Sequence, residues 1–185
     1  MRVPYCLGSS ARFGLWPIQS GFAGKYGRMS TAPRSPRMSI TEMTELVLPQ
    51  HSNVLGTAFG GTVLAWIDVC GAICAQRHTG CVAVTAAIDE VNFVSPIRIG
   101  DVVILQGRIN AAFRTSVEVS VTVQVEDRVT NHRRACVDAF MTFVSVNEKG
   151  EPQPAPPLLT ETPDDERRVR EATQRREARL LARRR

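Results

Sequence analysis

The sequence contains no Cys-x-x-Cys pair, no Gly-x-Ser-x-Gly, no Walker run and no dinucleotide Gly-x-Gly-x-x-Gly. Without the strained serine elbow there is no basis for a serine-hydrolase mechanism, and without the glycine runs there is none for a phosphate-cradling loop. The five cysteines, Cys6, Cys70, Cys74, Cys81 and Cys136, show no Cys/His ligand spacing. Their odd number, with two on one apolar segment, reads as buried free thiols in a reducing compartment, and no metal is expected. No uninterrupted apolar run reaches the roughly 20 residues of a membrane helix, so a membrane span is not expected. No internal repeat is visible. The formal charge of +5 carries no aromatic platform or base-reading motif with it, so a nucleic-acid partner is not expected either.

That charge is unevenly placed. Residues 1–41 hold six basic residues and no acid, and residues 166–185 hold nine arginines against three acids. Residues 1–38, rich in Gly, Ser, Pro and Arg, are expected to form a disordered basic leader outside the core. Their composition resembles a mitochondrial transit peptide and equally fits an extended start, with Met29, Met38 and Met43 as alternative first residues. A cytoplasmic location is expected, or the mitochondrial matrix if the leader is a transit signal.

Between these ends the 185-residue chain, 43% hydrophobic, reads as one domain over 39–157. Residues 40–48 alternate as a first strand closed by Pro49. A loop then leads to Gly60-Gly61, which opens a helix ending near Gly80 as its C-terminal cap. Four strand patterns follow, over 81–94, 101–113, 116–127 and 132–146, the third alternating through Val117, Val119, Val121, Val123 and Val125. One apolar helix followed by long strands with short turns predicts an α+β fold with an antiparallel sheet wrapped around a long central helix. After a Pro-rich connector, Thr162-Pro163-Asp-Asp-Glu166 starts a second helix within an Arg-rich C-terminal segment, 158–185, whose arginines read as a solvated face.

Asp68 is the only charged residue between His51 and Arg77. Val63, Leu64, Trp66, Ile67, Cys70, Ile73 and Cys74 cover most of the helix circumference, so the helix is expected to be enclosed by the rest of the fold and Asp68 to be buried. A buried carboxylate needs a partner or a proton; either a structural Asp or a catalytic one satisfies that. Two glycines at the helix start leave first-turn amides open to a carbonyl oxygen, the physics of an oxyanion hole, although a Gly-Gly pair also suits a tight loop. Eight residues separate Gly60 from Asp68, about 12 Å along a helix axis. One small carbonyl cannot touch both in the same chain, so joint action requires two protomers.

The run Pro49-x-His51-x-Asn53-x-x-Gly56-x-x-Phe59-Gly60-Gly61-x-x-Leu64-x-Trp66-Ile67-Asp68 resembles the hotdog-fold acyl-CoA thioesterases. The branch it looks closest to is that of bacterial acyl-CoA hydrolases related to the brain-type cytosolic and brown-fat-inducible enzymes. Val84-Thr85, Val91-Asn92-Phe93, Pro96-Ile97, Gly100-Asp101, Arg114-Thr115-Ser116 and Phe143-Val144-Ser145-Val146 continue the likeness over residues 40–157. The resemblance implies hydrolysis of acyl-CoA to a free acid and CoA. It implies no cofactor, coenzyme A being part of the substrate, and a homodimer, by family habit a trimer of dimers. Asp68 matches the catalytic carboxylate, as general base or nucleophile, and Asn53 the loop asparagine acting across the dimer interface. The Gly60 and Gly61 amides match the groups that polarise the thioester oxygen, and Arg114, Thr115 and Ser116 the turn presented to the CoA phosphates. Thr85 could hydrogen-bond near Asp68, though a β-branched residue suits a strand in any case. His51 reads as a loop-ordering residue, the alternative being the base of a hydratase or dehydratase paired with Asp68. A non-catalytic CoA-binding module is the remaining alternative.

Overall fold

A computed structural model describes residues 32–182 apart from positions 128 and 131, so expectations for 1–31 and 183–185 lie outside the described residues. The elements are β1 (Thr41–Leu46), α1 (Gly60–Thr79), β2 (Val82–Phe93), β3 (Val102–Ala112), β4 (Ser116–Glu126), β5 (Arg133–Val146) and α2 (Pro163–Ala182). All five strands form one sheet in the order β1-β3-β4-β5-β2, every neighbour pair antiparallel. This is the helix-and-sheet arrangement expected of a hotdog fold.

The alternating valines of β4 determine which face of the sheet receives α1. Val117, Val119, Val121 and Val123 are wholly buried with Ile67, Leu105, Met141 and Phe143 in one core. Two glycines let the helix approach closely. A Cβ on Gly71 would lie 2.9 Å from the Phe143 ring, and one on Gly107 would lie 3.2 Å from Cys74 Cβ. Burial pushes the Cys70 thiol up to about 11 and that of Cys74 to about 12, as expected of inert core thiols. Gly80 caps α1 in the left-handed region (φ +71°), its N–H donating to Gln76 O at 2.8 Å.

Three expectations need correction. The first concerns α1, which its own chain does not enclose: Gly61, Ala65 and Val69 are exposed, and Asp68 is only half-buried on the same stripe. The sheet is one layer on one side of the helix, so an all-round apolar helix keeps an open side. The second is the domain start, which lies before residue 39. Arg34 donates to the α1 carbonyls of Arg77 (3.2 Å) and His78 (2.7 Å), its backbone bridges to Leu158, and Pro36 is buried. Unsatisfied carbonyls at a helix end recruit such a donor.

The third is the arginine-rich helix. α2 lies on the sheet face opposite α1, with Ala172 wholly buried. Arg175 grips buried Glu118 at 2.7 Å, Arg108 pairs with Asp165, and Arg179 with Asp89. The polar side of β4, which alternation alone assigns to solvent, is therefore covered by a helix carrying opposite charge.

Candidate active site

β2 ends the sheet, so one of its edges is free, with Val84, Thr85 and Ile88 exposed. Thr85 pairs in register with Phe143, the ring on which α1 settles at Gly71. The register then slips by one residue between Thr85 and Ala87, a bulge of the kind that re-aims side chains. This placement brings Thr85 to the middle of α1, where its Oγ1 donates to Asp68 Oδ1 at 2.5 Å. Among the described residues Oδ2 of Asp68 accepts no hydrogen bond, so one carboxylate oxygen is held and the other is left unengaged. A hydroxyl donor of this kind holds a carboxylate in a chosen rotamer.

The loop before α1 is built around Asn53. Its Oδ1 accepts from Leu55 N (2.9 Å) and Thr57 N (3.4 Å), and its Nδ2 donates to Thr57 Oγ1 (2.9 Å). This is an Asx turn that presents Val54 and Leu55 to solvent, with Gly56 in the left-handed region. His51 orders the same loop. Its Nδ1 accepts from Leu48 N at 3.3 Å, its carbonyl accepts from Phe59 N at 2.8 Å, and its ring stands edge-on to Trp66 of α1. One ring nitrogen of His51 is thus engaged by the loop backbone.

No side chain caps the N-terminus of α1. Thr62 N and Val63 N return to Phe59 O, whereas the Gly60 and Gly61 amides have no acceptor among the described residues. Gly60 lines a cleft of about 380 Å³ with Thr57, Ala58, Val63, Phe93 and Ile97. A Cβ on Gly60 would meet only Phe93 Cζ, at 3.8 Å, so packing within the chain does not demand glycine there. Free amides at a helix start, beside an apolar cleft, are suited to a carbonyl oxygen that gains negative charge.

Of the expected residues, the fold joins Asp68 to Thr85 and sets Asn53 beside the Gly60 cleft. These pairs are not joined to each other within the chain, since a carbonyl at the Gly60 amides lies about 12 Å along α1 from Asp68. Arg114, Thr115 and Ser116 form the β3–β4 turn. That turn is fastened by Ser145 N to Thr115 O (3.0 Å) and by Ala155 N to Arg114 O (3.0 Å). Ser116 pairs with Val144, and Val144 with Val84, so the turn stands two strands from Thr85, about 10 Å across the sheet. Thr57 and Trp66 are not among the site residues expected from sequence. The Asn-x-x-Gly-Thr spacing signals the Asx turn that makes Thr57 its partner, whereas the His51–Trp66 contact depends on tertiary packing.

Among the described residues, no three His, Cys, Asp or Glu side chains converge as metal ligands, and no helix is long and apolar enough to cross a membrane.

Known proteins resemble the chain over most of its length. The thioesterase superfamily domain matches residues 55–131. The chain is 37% identical over 140 residues to mouse acyl-coenzyme A thioesterase 11, which covers 75% of this chain but only 24% of that protein. The chain therefore spans about a quarter of that relative's length. It is 35% identical over 122 residues to an uncharacterised acyl-CoA thioester hydrolase of Bacillus subtilis, 66% of this chain and 71% of that one. Among solved structures, a hexameric acyl-CoA thioesterase in its apo form aligns with a TM-score of 0.78 at 38% identity, over 82% of this chain and 97% of that one. An acyl-CoA hydrolase of Staphylococcus aureus, solved with coenzyme A as an Asn-to-Ala variant, aligns at 0.78 with 32% identity, over 82% and 91%. By identity, coverage and fold, the chain belongs to the hotdog-fold acyl-CoA thioesterase family.

Proposed function

We propose that this protein hydrolyses acyl-CoA to a carboxylic acid and coenzyme A, without a metal, at sites shared between two copies of the chain. The observation that carries the reading is the Thr85–Asp68 hydrogen bond on the open stripe of α1, with the free amides of Gly60 and Gly61 too far along the same helix to meet it. A second copy supplies what one lacks. The free edge of β2 and the exposed stripe Gly61, Ala65, Val69 suit a two-fold pairing that sets two α1 helices side by side. Asp68 and Thr85 of one protomer then face Asn53 and the Gly60 amide of its partner. Hexamers among the aligned relatives support a trimer of such dimers.

In the hydrolysis, the oxygen of a water attacks the thioester carbonyl carbon while Asp68 Oδ2 takes its proton, and Thr85 holds Oδ1 in place. The carbonyl oxygen collects negative charge against the amides of Gly60 and Gly61, with Asn53 orienting the water or the carbonyl. The C–S bond then breaks, releasing the CoA thiolate, which the Asp68 proton neutralises. Direct attack by Asp68, giving a mixed anhydride that water cleaves, uses the same atoms. Support also comes from the Staphylococcus aureus hydrolase. There an asparagine, an aspartate and a threonine were each replaced by alanine, in the same order and at the same separations as Asn53, Asp68 and Thr85. Arg114, Thr115 and Ser116 receive the CoA phosphates in this reading.

The test is free-thiol release over acetyl- to palmitoyl-CoA for the wild type and Asp68→Asn. Wild-type turnover that falls by about 10²–10⁴ in the variant supports the proposal. A fully active Asp68→Asn protein removes Asp68 from the mechanism, and enoyl-CoA turnover without thiol release would point to hydration chemistry instead.

A further inference from the structure

The arginines of α2 differ in what faces them, Arg170 being exposed to solvent and without a carboxylate partner among the described residues. Arg175 and Arg179 point at the sheet and are neutralised there by Glu118 and Asp89. Arg167 and Arg168 are neutralised along the helix by Asp164 and Glu171. Arg176 lies on the same side as buried Ala172, one turn further on, and is half-buried, but no carboxylate among the described residues pairs with it. Its guanidinium instead lies over the Phe113 ring, 4.7 Å from the centroid. Phe113 immediately precedes the turn Arg114-Thr115-Ser116, whose Arg114 side chain is exposed and likewise has no carboxylate partner.

Stacking on an aromatic face uses the π-surface of a guanidinium and leaves its in-plane N–H edge free. Such a group is held in orientation without having its donors consumed. The turn below it is fastened on both sides, by Ser145 N to Thr115 O and by Ala155 N to Arg114 O, and Phe113 N closes it onto Ser116 O at 2.7 Å. Two uncancelled guanidinium groups therefore flank one rigid turn, while the other arginines that α2 turns toward the sheet are cancelled.

We infer that Arg176 of α2 is a phosphate-binding residue, acting with Arg114 to clamp the phosphates of the coenzyme A moiety from the side opposite the β3–β4 turn. The inference rests on the acyl-CoA reading of the site and adds to it a residue of the C-terminal helix. It also gives the C-terminal helix a role in substrate recognition beyond covering the sheet. The turn stands about 10 Å across the sheet from Thr85, so a substrate with its thioester at Asp68 lays its pantetheine arm toward this clamp.

The experiment compares acyl-CoA with S-acyl-pantetheine, which has the thioester but no nucleotide phosphates, for the wild type, Arg176→Gln and Arg176→Lys. The expected result is a KM for acyl-CoA raised about five- to tenfold in Arg176→Gln and partly recovered in Arg176→Lys, with a weaker salt dependence of KM than in the wild type. On acyl-pantetheine the KM of Arg176→Gln stays within about twofold of the wild type, because no phosphate is there to lose. An unchanged KM for acyl-CoA, or an equal rise on both substrates, overturns the inference. If the wild type hydrolyses neither substrate, the thioesterase reading fails by itself, and calorimetry with free coenzyme A and pantetheine then decides. Coenzyme A binding weakened in Arg176→Gln sustains the clamp; no binding by the wild type, or binding equal in both proteins, removes it.

Discussion

Glu118 of β4 is wholly removed from solvent, and Arg175 of α2 reaches across to it from the neighbouring layer, Nη2 to Oε1 at 2.7 Å, with Nε within 3.3 Å of both carboxylate oxygens. Asn110 donates to the same carboxylate at 3.1 Å, and Arg175 also covers the Phe140 ring. This pair, together with Arg108–Asp165 and Arg179–Asp89, fastens α2 to the sheet. Removing one partner of a buried ion pair leaves an uncompensated charge, which costs more than the pair itself contributes. Arg175→Met is expected to destabilise the fold by about 3 kcal/mol, and Glu118→Gln with Arg175→Met to recover much of that. Urea unfolding of the single and double variants measures it; a single variant as stable as the wild type would mean that α2 is not held through Glu118.

Thr85→Val keeps the shape of the side chain and removes the donor to Asp68. Its edge position makes the change nearly neutral for folding, while turnover of acyl-CoA is expected to fall about tenfold or more. Steady-state kinetics with matched melting temperatures check this. Activity equal to wild type would show that Asp68 needs no help from β2.

Gly60→Ala separates what the chain needs from what the reaction needs. The added Cβ meets only Phe93 Cζ at 3.8 Å, so the protein should fold and assemble as before. The methyl narrows the approach to the free amides, and kcat is expected to drop about 10- to 100-fold. A folded, fully active Gly60→Ala enzyme would move the oxyanion site elsewhere.

Mixing Asp68→Ala chains with Asn53→Ala chains tests the shared site. Each homo-oligomer should be nearly inactive, and exchange should restore part of the activity, because one kind of mixed site holds both wild-type residues. Mass spectrometry establishes exchange; no recovery after proven exchange would argue for sites within single chains.

His78 links acid stability to the join of three segments. Its ring is fully buried, with Nδ1 3.3 Å from Ser39 Oγ and Nε2 3.1 Å from Pro156 O. Burial holds its pKa below the ordinary 6.5, against the opposing hydrogen bond to Pro156. The unfolded chain therefore takes up the proton first. The contribution is fully present above about pH 6.5 and is lost as the pH falls from there through the lowered folded value. Melting temperatures should drop between pH 7 and pH 5, and His78→Gln should flatten that slope. An unchanged slope would place the acid sensitivity in other groups.

Much of the architecture is legible in the sequence because its signals are local. Alternating valines mark β4, Gly80 marks the end of α1, and Thr162-Pro163 the start of α2, each through backbone chemistry within a few residues. Asp68 stands out because it is the only charge in a long apolar segment. The arithmetic of helix rise already separates Gly60 from Asp68 without any knowledge of the fold. These features the sequence determined by itself.

The tertiary structure alone decided the rest, since it concerns groups far apart in the chain. The meeting of Thr85 with Asp68 depends on a bulge in β2 and on how deeply α1 sinks at Gly71. The open stripe on α1 depends on the sheet covering one side only, which periodicity cannot report because it reads any apolar helix surface as core. The pairing of the α2 arginines with Glu118 and Asp89 could not be read from composition, because solvation and a buried counter-ion leave the same residue in the sequence. The physical reason is common to all three: propensity and pattern act along the chain, whereas burial and charge cancellation are settled only when distant segments occupy the same space.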